Sequence, residues 1–444
     1  MEKITSDGLM LRSLSCCIPN GRSNLAQFYT EVFAEDGWID ADGFADWTLD
    51  ITSKNHPSSD LNNFWVIVDP SKNDRIVSAL LLVPQVWCYG QIEFGVGRLE
   101  LIATHKEYRH KGLVRALMTT AQQRSEALGH LMQAIMGIPN YYRQFGYGMA
   151  VDMGSSLRLP MAAIPVLKPG HKSKYRLRAA LLDDISAILA LDRQSHNDCL
   201  LTEKRDAARW EFELKYRSDK TRSTRQLYII ADQLEQNVGF VSLFLHHLFP
   251  DVVVMDYALD QQASFLSTSD DVLQEIKKIA DSYFTANQSL CPSINIAFNS
   301  GLHPDLLQII QGLDDSIPLA PYAWYLRVSD ISGFINKISP VLNERMARAS
   351  TRDFTGDLKL GFFGGDDIQL DFQKGSLISV VAGNIHWKAC DVLCPYELFL
   401  NILLGHRSID DIKYIMPEVS FNQKGHLLLN VLFPKMQSLL DTTA

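Results

Sequence analysis

The stretch EYRHKGLVRAL, Glu107–Leu117, constrains the fold more than any other part of the chain. Before it runs GRLELIAT (Gly97–Thr104), apolar and β-branched as a buried strand is. After it, Leu113, Ala116, Leu117, Thr120 and Ala121 recur at the spacing of one helical face, and Gly129 stands where a helix-ending glycine belongs. A strand that passes into a helix through so short a turn calls for an α/β layer, with the helix lying on the sheet. The turn also carries chemistry. A helix beginning near Lys111 or Gly112 leaves its first N–H groups without intrahelical partners, converging with the positive end of the helix dipole. Gly112 has no Cβ to hold a ligand away, and Arg109, His110, Lys111 and Arg115 add positive charge. That is the physics of a pyrophosphate cradle. Taken alone, the same turn reads equally well as a tight bend with solvated basic neighbours. It is neither a Walker loop nor a G-x-G-x-x-G dinucleotide turn.

The rest of the chain sets the frame. At ~150 residues per domain, 444 residues imply about three domains. Pro160, Pro165, Pro169 and Gly170 mark one boundary, and Pro318 and Pro321 in IPLAPYAW mark another. The expected segments are 1–155, 172–325 and 326–444. A net charge of −9 argues against non-specific nucleic-acid binding. The longest apolar runs, VSALLLVP and LFLNILL, fall short of the ~18 residues of a membrane span. The first residues lack a secretory pattern, and the odd count of 7 cysteines argues against a disulfide framework. The expectation is a cytoplasmic protein with reduced thiols. Neither Cys390 with Cys394 nor His246 with His247 has enough companions for a metal site, so no metal is expected.

In the first segment, GLMLRSLS, FWVIV, IVSALLLVPQVW, LMQAIMGIP and MAVDM read as further strands, and Asn24–Phe33 as a helix. About thirty residues beyond the basic turn lies Tyr142-Arg143-Gln144-Phe145-Gly146-Tyr147. Strand, R-x-x-G-L-x turn, long helix, strand and Y-x-x-x-G-[FY], in that order, resemble the GNAT superfamily of acyl-CoA-dependent N-acyltransferases over roughly residues 1–155. The resemblance implies that Leu101, Ile102 and Ala103 lie on a splayed strand that binds the pantetheine arm of acetyl-CoA. It implies that Arg109, His110, Lys111, Gly112, Leu113, Val114 and Arg115 form the pyrophosphate loop. Val114 stands where the family has a small residue, though its N–H remains available. Tyr142 resembles the acid that protonates the departing thiolate, with Tyr141 its competitor. Glu100, on the cofactor strand, is a candidate base, directly or through water.

The middle segment repeats the strand and helix order, but its corresponding turn, DQQASFLSTSDD, has no glycine or basic residue and carries Asp260, Asp270 and Asp271. It reads as a second GNAT-like fold without a cofactor site. In the third segment, DLKLGFF and DIQLDF alternate as half-buried strands. Pro395 opens a helix, Gly405 closes it, and Ser408 with Asp411 forms a capping box for the next. The fold class is thus α/β and α+β: two GNAT-like mixed-sheet domains in tandem, then a small α+β domain. This combination is similar to the Eis (enhanced intracellular survival) acetyltransferases, whose last domain is sterol-carrier-like. That resemblance implies a homo-oligomer, a hexamer, and a base supplied by the carboxylate of the last residue, here Ala444. The expected function is acetyl transfer from acetyl-CoA to a primary amine, of an aminoglycoside or polyamine-like molecule or of lysine. Asp36, Asp40, Asp42 and Asp46 are candidates for lining the acceptor cleft. The alternatives are a protein that binds lipids or other hydrophobic ligands, and an acyl-CoA sensor without turnover.

Overall fold

The β-branched runs of the first segment form one mixed sheet, whose long central hairpin (Arg75–Tyr89 with Ile92–Thr104) turns at Gly90, φ +57°. The structure is a computed structural model that describes residues 3–4, 8–17, 20–221, 225–287, 294–363 and 366–442. Alternation along the strand Arg75–Tyr89 sends Leu80 and Leu82 to one face and Leu81 and Val83 to the other. Helix Leu113–Ala127 covers the first face with Leu113, Leu117, Met118 and Ala121. Helices Gly21–Glu35 and Asp42–Ile51 cover the second with Phe28, Tyr29, Val32 and Phe44. Truncating a fully buried side chain such as Leu117 to alanine costs about 2–5 kcal/mol.

The middle segment builds a second sheet with the same logic. Tyr175–Ala179, Arg225–Asp232, Asn237–Phe244 and Asp251–Leu259 run antiparallel in sequence, and Asn295–Asn299 joins the last of them in parallel. Helix Phe265–Ala286 makes the crossover. Sequence patterning did not reveal how the two sheets are joined. Tyr322–Arg327, which follows the second unit along the chain, inserts into the first sheet between Met132–Ile135 and Gly148–Met153. Ser155–Pro160, which follows the first unit, inserts into the second sheet between Asn295–Asn299 and Ile317–Pro318. Each sheet therefore holds a strand that follows the other along the chain, and Leu201–Glu203 of the middle segment also pairs with Arg75–Tyr89 of the first sheet. Periodicity marks both runs as strands but carries nothing about which sheet receives them.

The third unit has a small sheet in the order Ser376–Gly383, Asp367–Gln373, Gly356–Phe362, Val392–Cys394, Ser420–Phe421. Helix Tyr396–Leu403 starts after Pro395, and Ser408 and Asp411 exchange reciprocal cap bonds at helix Ile409–Ile415. Helix Ile331–Arg348 ties this unit to the first sheet. Its Phe334 meets Tyr89 and Phe94 edge-on at centroid distances of 6.0 and 5.2 Å, so the tip of the long hairpin lies in the third unit's core. No helix among the described residues is long and apolar enough to cross a membrane.

Candidate active site

The strand Ile92–Thr104 pairs in parallel with Met132–Ile135 only from Val96 to Leu99. Beyond Leu99 the two strands part. Leu101 sits at a bulge with φ +52°, where the register against the neighbouring antiparallel strand shifts. The segment Leu101–Thr104 therefore keeps one side on the sheet and turns the other towards a cavity of about 800 Å³. Across the gap lie Met136, Gly137 and Ile138.

The chain then makes the basic turn. His110 and Gly112 both take left-handed backbone, φ +65° and +72°, and helix Leu113–Ala127 starts at Gly112 with no side-chain cap among the described residues. The uncapped N–H groups of this first turn border the same cavity, together with Arg109, His110, Leu113, Val114 and Arg115. Lys111 does not line it; its ammonium lies 5.1 Å over the Tyr108 ring. Arg109 is already held: its guanidinium grips both oxygens of Asp36 at 2.8 Å and donates to the Thr104 carbonyl at 3.1 Å. Arg115 donates to Gln144 at 2.9 Å and lies over Phe145.

Tyr142 stands on the turn Tyr141–Phe145 and is 4% exposed. Its ring presses on Gly137, where an added Cβ would lie 2.1 Å from Cε2, so only glycine leaves room for it. The exchanged strand braces this turn. The Tyr325 hydroxyl accepts from the Asn140 N–H at 2.5 Å, and the Tyr325 ring lies 5.9 Å from that of Tyr142. Burial raises the Tyr142 phenol well above its ordinary value, with Tyr141 and Glu100 adding to the effect. Tyr141 meets Tyr142 edge-on at 5.2 Å and lines the cavity too, half-buried.

Glu100 lines the cavity at 5% exposure and accepts from the fully buried Arg98. Burial raises its carboxyl above the usual value, and Arg98 opposes that rise without cancelling it. Arg98 also donates to the carbonyls of Asp441 and Thr442, at 2.9 and 2.7 Å. The last described residues are thus anchored beside Glu100; Ala444 lies outside the described residues. The Asp441 carboxylate is in turn bound by Arg225, and Arg205 and Arg209 stand 3.8 and 3.9 Å away.

Of the four early aspartates, only Asp36 borders the cavity. Asp40 instead bonds His246 at 2.9 Å, which also gives that histidine a structural partner. Part of the cavity wall is aromatic: Phe33, Trp38, Phe44 and Trp47, with Phe33 stacked on Phe44 at 3.9 Å. Sequence reasoning weighed the acids of this region and passed over the rings, although Phe44 and Trp47 stand one helical turn apart.

Residues 34–150 match the family model described as an acetyltransferase (GNAT) domain. No curated protein matches the sequence. Among solved structures, a GCN5-related N-acetyltransferase from Anabaena variabilis aligns with a TM-score of 0.65 at 13% identity, covering 97% of this chain and 99% of that one. A probable N-acyltransferase from Enterococcus faecalis aligns with a TM-score of 0.68 at 9% identity, covering 98% and 100%. Eis1 from Mycobacterium abscessus aligns with a TM-score of 0.60 at 13% identity, again covering 98% and 100%. Residues 34–150 thus match a GNAT acetyltransferase domain, and the chain shares, along nearly its whole length, the fold of these solved structures.

Proposed function

We propose that this protein transfers an acetyl group from acetyl-CoA to a primary amine. One observation carries the reading: the open strand edge Leu101–Thr104, the uncapped helix start at Gly112 and the buried Tyr142 all face one cavity. The pantetheine arm, with its two amides, adds to the open edge as a peptide strand would. The pyrophosphate meets the N–H groups of Gly112–Arg115 and the positive end of the helix. Arg109 and Arg115 supply charge there once they exchange Asp36 and Gln144 for phosphate oxygens. The thioester then reaches the part of the cavity that Glu100 and Tyr142 border.

The chemistry follows from those two groups. The amine must arrive neutral, so its ammonium proton passes to Glu100 or to water held by it. The amine nitrogen attacks the thioester carbonyl carbon, and the oxygen takes up negative charge near the free N–H groups of the open strand. The carbon–sulfur bond breaks as the carbonyl reforms. The departing thiolate takes the phenolic proton of Tyr142, and the proton that the acylated nitrogen must still lose passes, directly or through water, to the Tyr142 phenolate, which leaves the amide, the free thiol and the phenol. Bringing both reactants into one cavity supplies a further share of the rate. A small-molecule amine or a lysine side chain fits this scheme.

Release of free thiol from acetyl-CoA, measured across a panel of primary amines, tests the reading. Amine-dependent release, lost in Tyr142→Phe with CoA binding intact, is expected. Tight CoA binding without release on any amine would instead favour a sensor.

A further inference from the structure

The second sheet opens in the same place as the first. Strand Asp251–Leu259 pairs in parallel with Asn295–Asn299 only from Asp251 to Val254. Its remainder, from Asp256 to Leu259, borders a cavity of about 870 Å³, walled on the far side by Leu302, His303 and Ile309. The open edge Asp256–Leu259 is about 13 Å long at ~3.3 Å per residue.

The chemistry of this cleft is the reverse of the first. The Asp260 carboxylate accepts from the N–H groups of Gln262 and Ala263, at 2.9 and 3.1 Å. Ser264 and Ser267 close a capping box on helix Phe265–Ala286. The N–H groups that would hold a phosphate are thus already bonded. Asp270 and Asp271, expected at this turn, lie within the helix, and Asp271 faces away to bond His171 and the backbone of Lys174 and Tyr175. Among the described residues the cleft has no lysine or arginine on its walls but four aspartates: Asp198, Asp256, Asp260 and Asp305. Asp256 is neutralised by Arg205 and Arg225, which leaves Asp198, Asp260 and Asp305 towards the opening. Tyr257, Phe265 and Leu302 add an apolar floor.

A ligand for such a cleft needs backbone amides for the open strand and positive charge for the aspartates, and it cannot be a nucleotide. We propose that the cleft between Asp251–Leu259 and Asn295–Asn299 is a second binding site, which takes an extended basic peptide segment by strand addition. It does not depend on the acetyl-transfer reading.

The test is fluorescence anisotropy of a labelled peptide alternating lysine and alanine, against a glutamate–alanine control and a backbone N-methylated copy. The lysine peptide is expected to bind the full chain. Asp198→Lys with Asp305→Lys, both exposed positions, should weaken it at least tenfold and leave CoA binding unchanged. Hydrogen exchange should slow at Asp256–Leu259 when the peptide is added. Absence of binding, equal binding of the N-methylated copy, indifference to the charge reversal, or protection confined to Leu101–Thr104 would each overturn the proposal. CoA binding, measured in the same samples, reports separately on the first site.

Discussion

In the proposed reaction Tyr142 gives a proton and Glu100 takes one, and burial acts on both. For the tyrosine it raises the phenol, which keeps the proton in place and makes it harder to give up. For the glutamate it lifts the carboxyl above the ordinary range near ~4.3. A base must be ionised to work, so activity should rise with pH above that range and lose this limb in Glu100→Gln. The pH–rate profile of kcat/KM for both forms checks it. Tyr142→Phe keeps the ring that fills the space over Gly137 and removes only the hydroxyl. We expect kcat to fall by roughly 10²–10⁴ with CoA affinity kept, the range for a positioned acid. Both residues were singled out as candidates in the sequence, Tyr142 by its motif and Glu100 by its place on the strand before the basic turn. Arg98 was not. Its importance comes from the carbonyls of Asp441 and Thr442, more than 340 residues away along the chain, and no local pattern encodes such a meeting.

Gly112 is the position where local backbone bears most directly on the proposed phosphate site. At φ +72° any other residue is strained, yet an added Cβ would meet nothing within 4 Å. Gly112→Ala should therefore cost about 1–2 kcal/mol through the left-handed backbone alone. Relaxing that strain turns the first N–H groups away from the phosphates, so CoA affinity, read by calorimetry, should drop while the melting temperature changes little. Gly137→Ala is a contrasting case. It pushes the Tyr142 ring aside, so turnover should suffer more than CoA binding. The strand, turn and helix around Gly112 were readable because hydrophobic period and a helix-starting glycine are local signals. The splay was readable only through the family resemblance, since it depends on where Met132–Ile135 ends beside its neighbour.

The exchanged strands make the two sheets one mechanical object. Tyr322–Arg327 completes the first sheet and braces the turn that carries Tyr142 through Tyr325, so a fragment ending near residue 160 lacks a central strand. Such a fragment should expose apolar surface and bind a hydrophobic dye, whereas the full chain should unfold with both GNAT-like sheets together. The tail adds a second tie. Breaking a buried ion pair costs about 3–5 kcal/mol. Asp441→Ala removes the carboxylate that Arg225 binds and should lower stability by that order, by denaturant titration. Arg98 binds the backbone carbonyls of Asp441 and Thr442, which this substitution leaves in place, so the acid limb of the pH–rate profile should stay where it is. The tandem architecture was visible in the repeated element order, but the reciprocal exchange was not, because a strand's sequence does not name its partner. In the proposed complex acetyl-CoA lies along the open edge of the first sheet with its phosphates at Gly112. Hydrogen exchange with and without CoA measures this directly. Slowed exchange at Leu101–Thr104 and at Gly112–Arg115, with Asp256–Leu259 unchanged, is the predicted result; protection elsewhere, or none at these amides at saturating CoA, would contradict it.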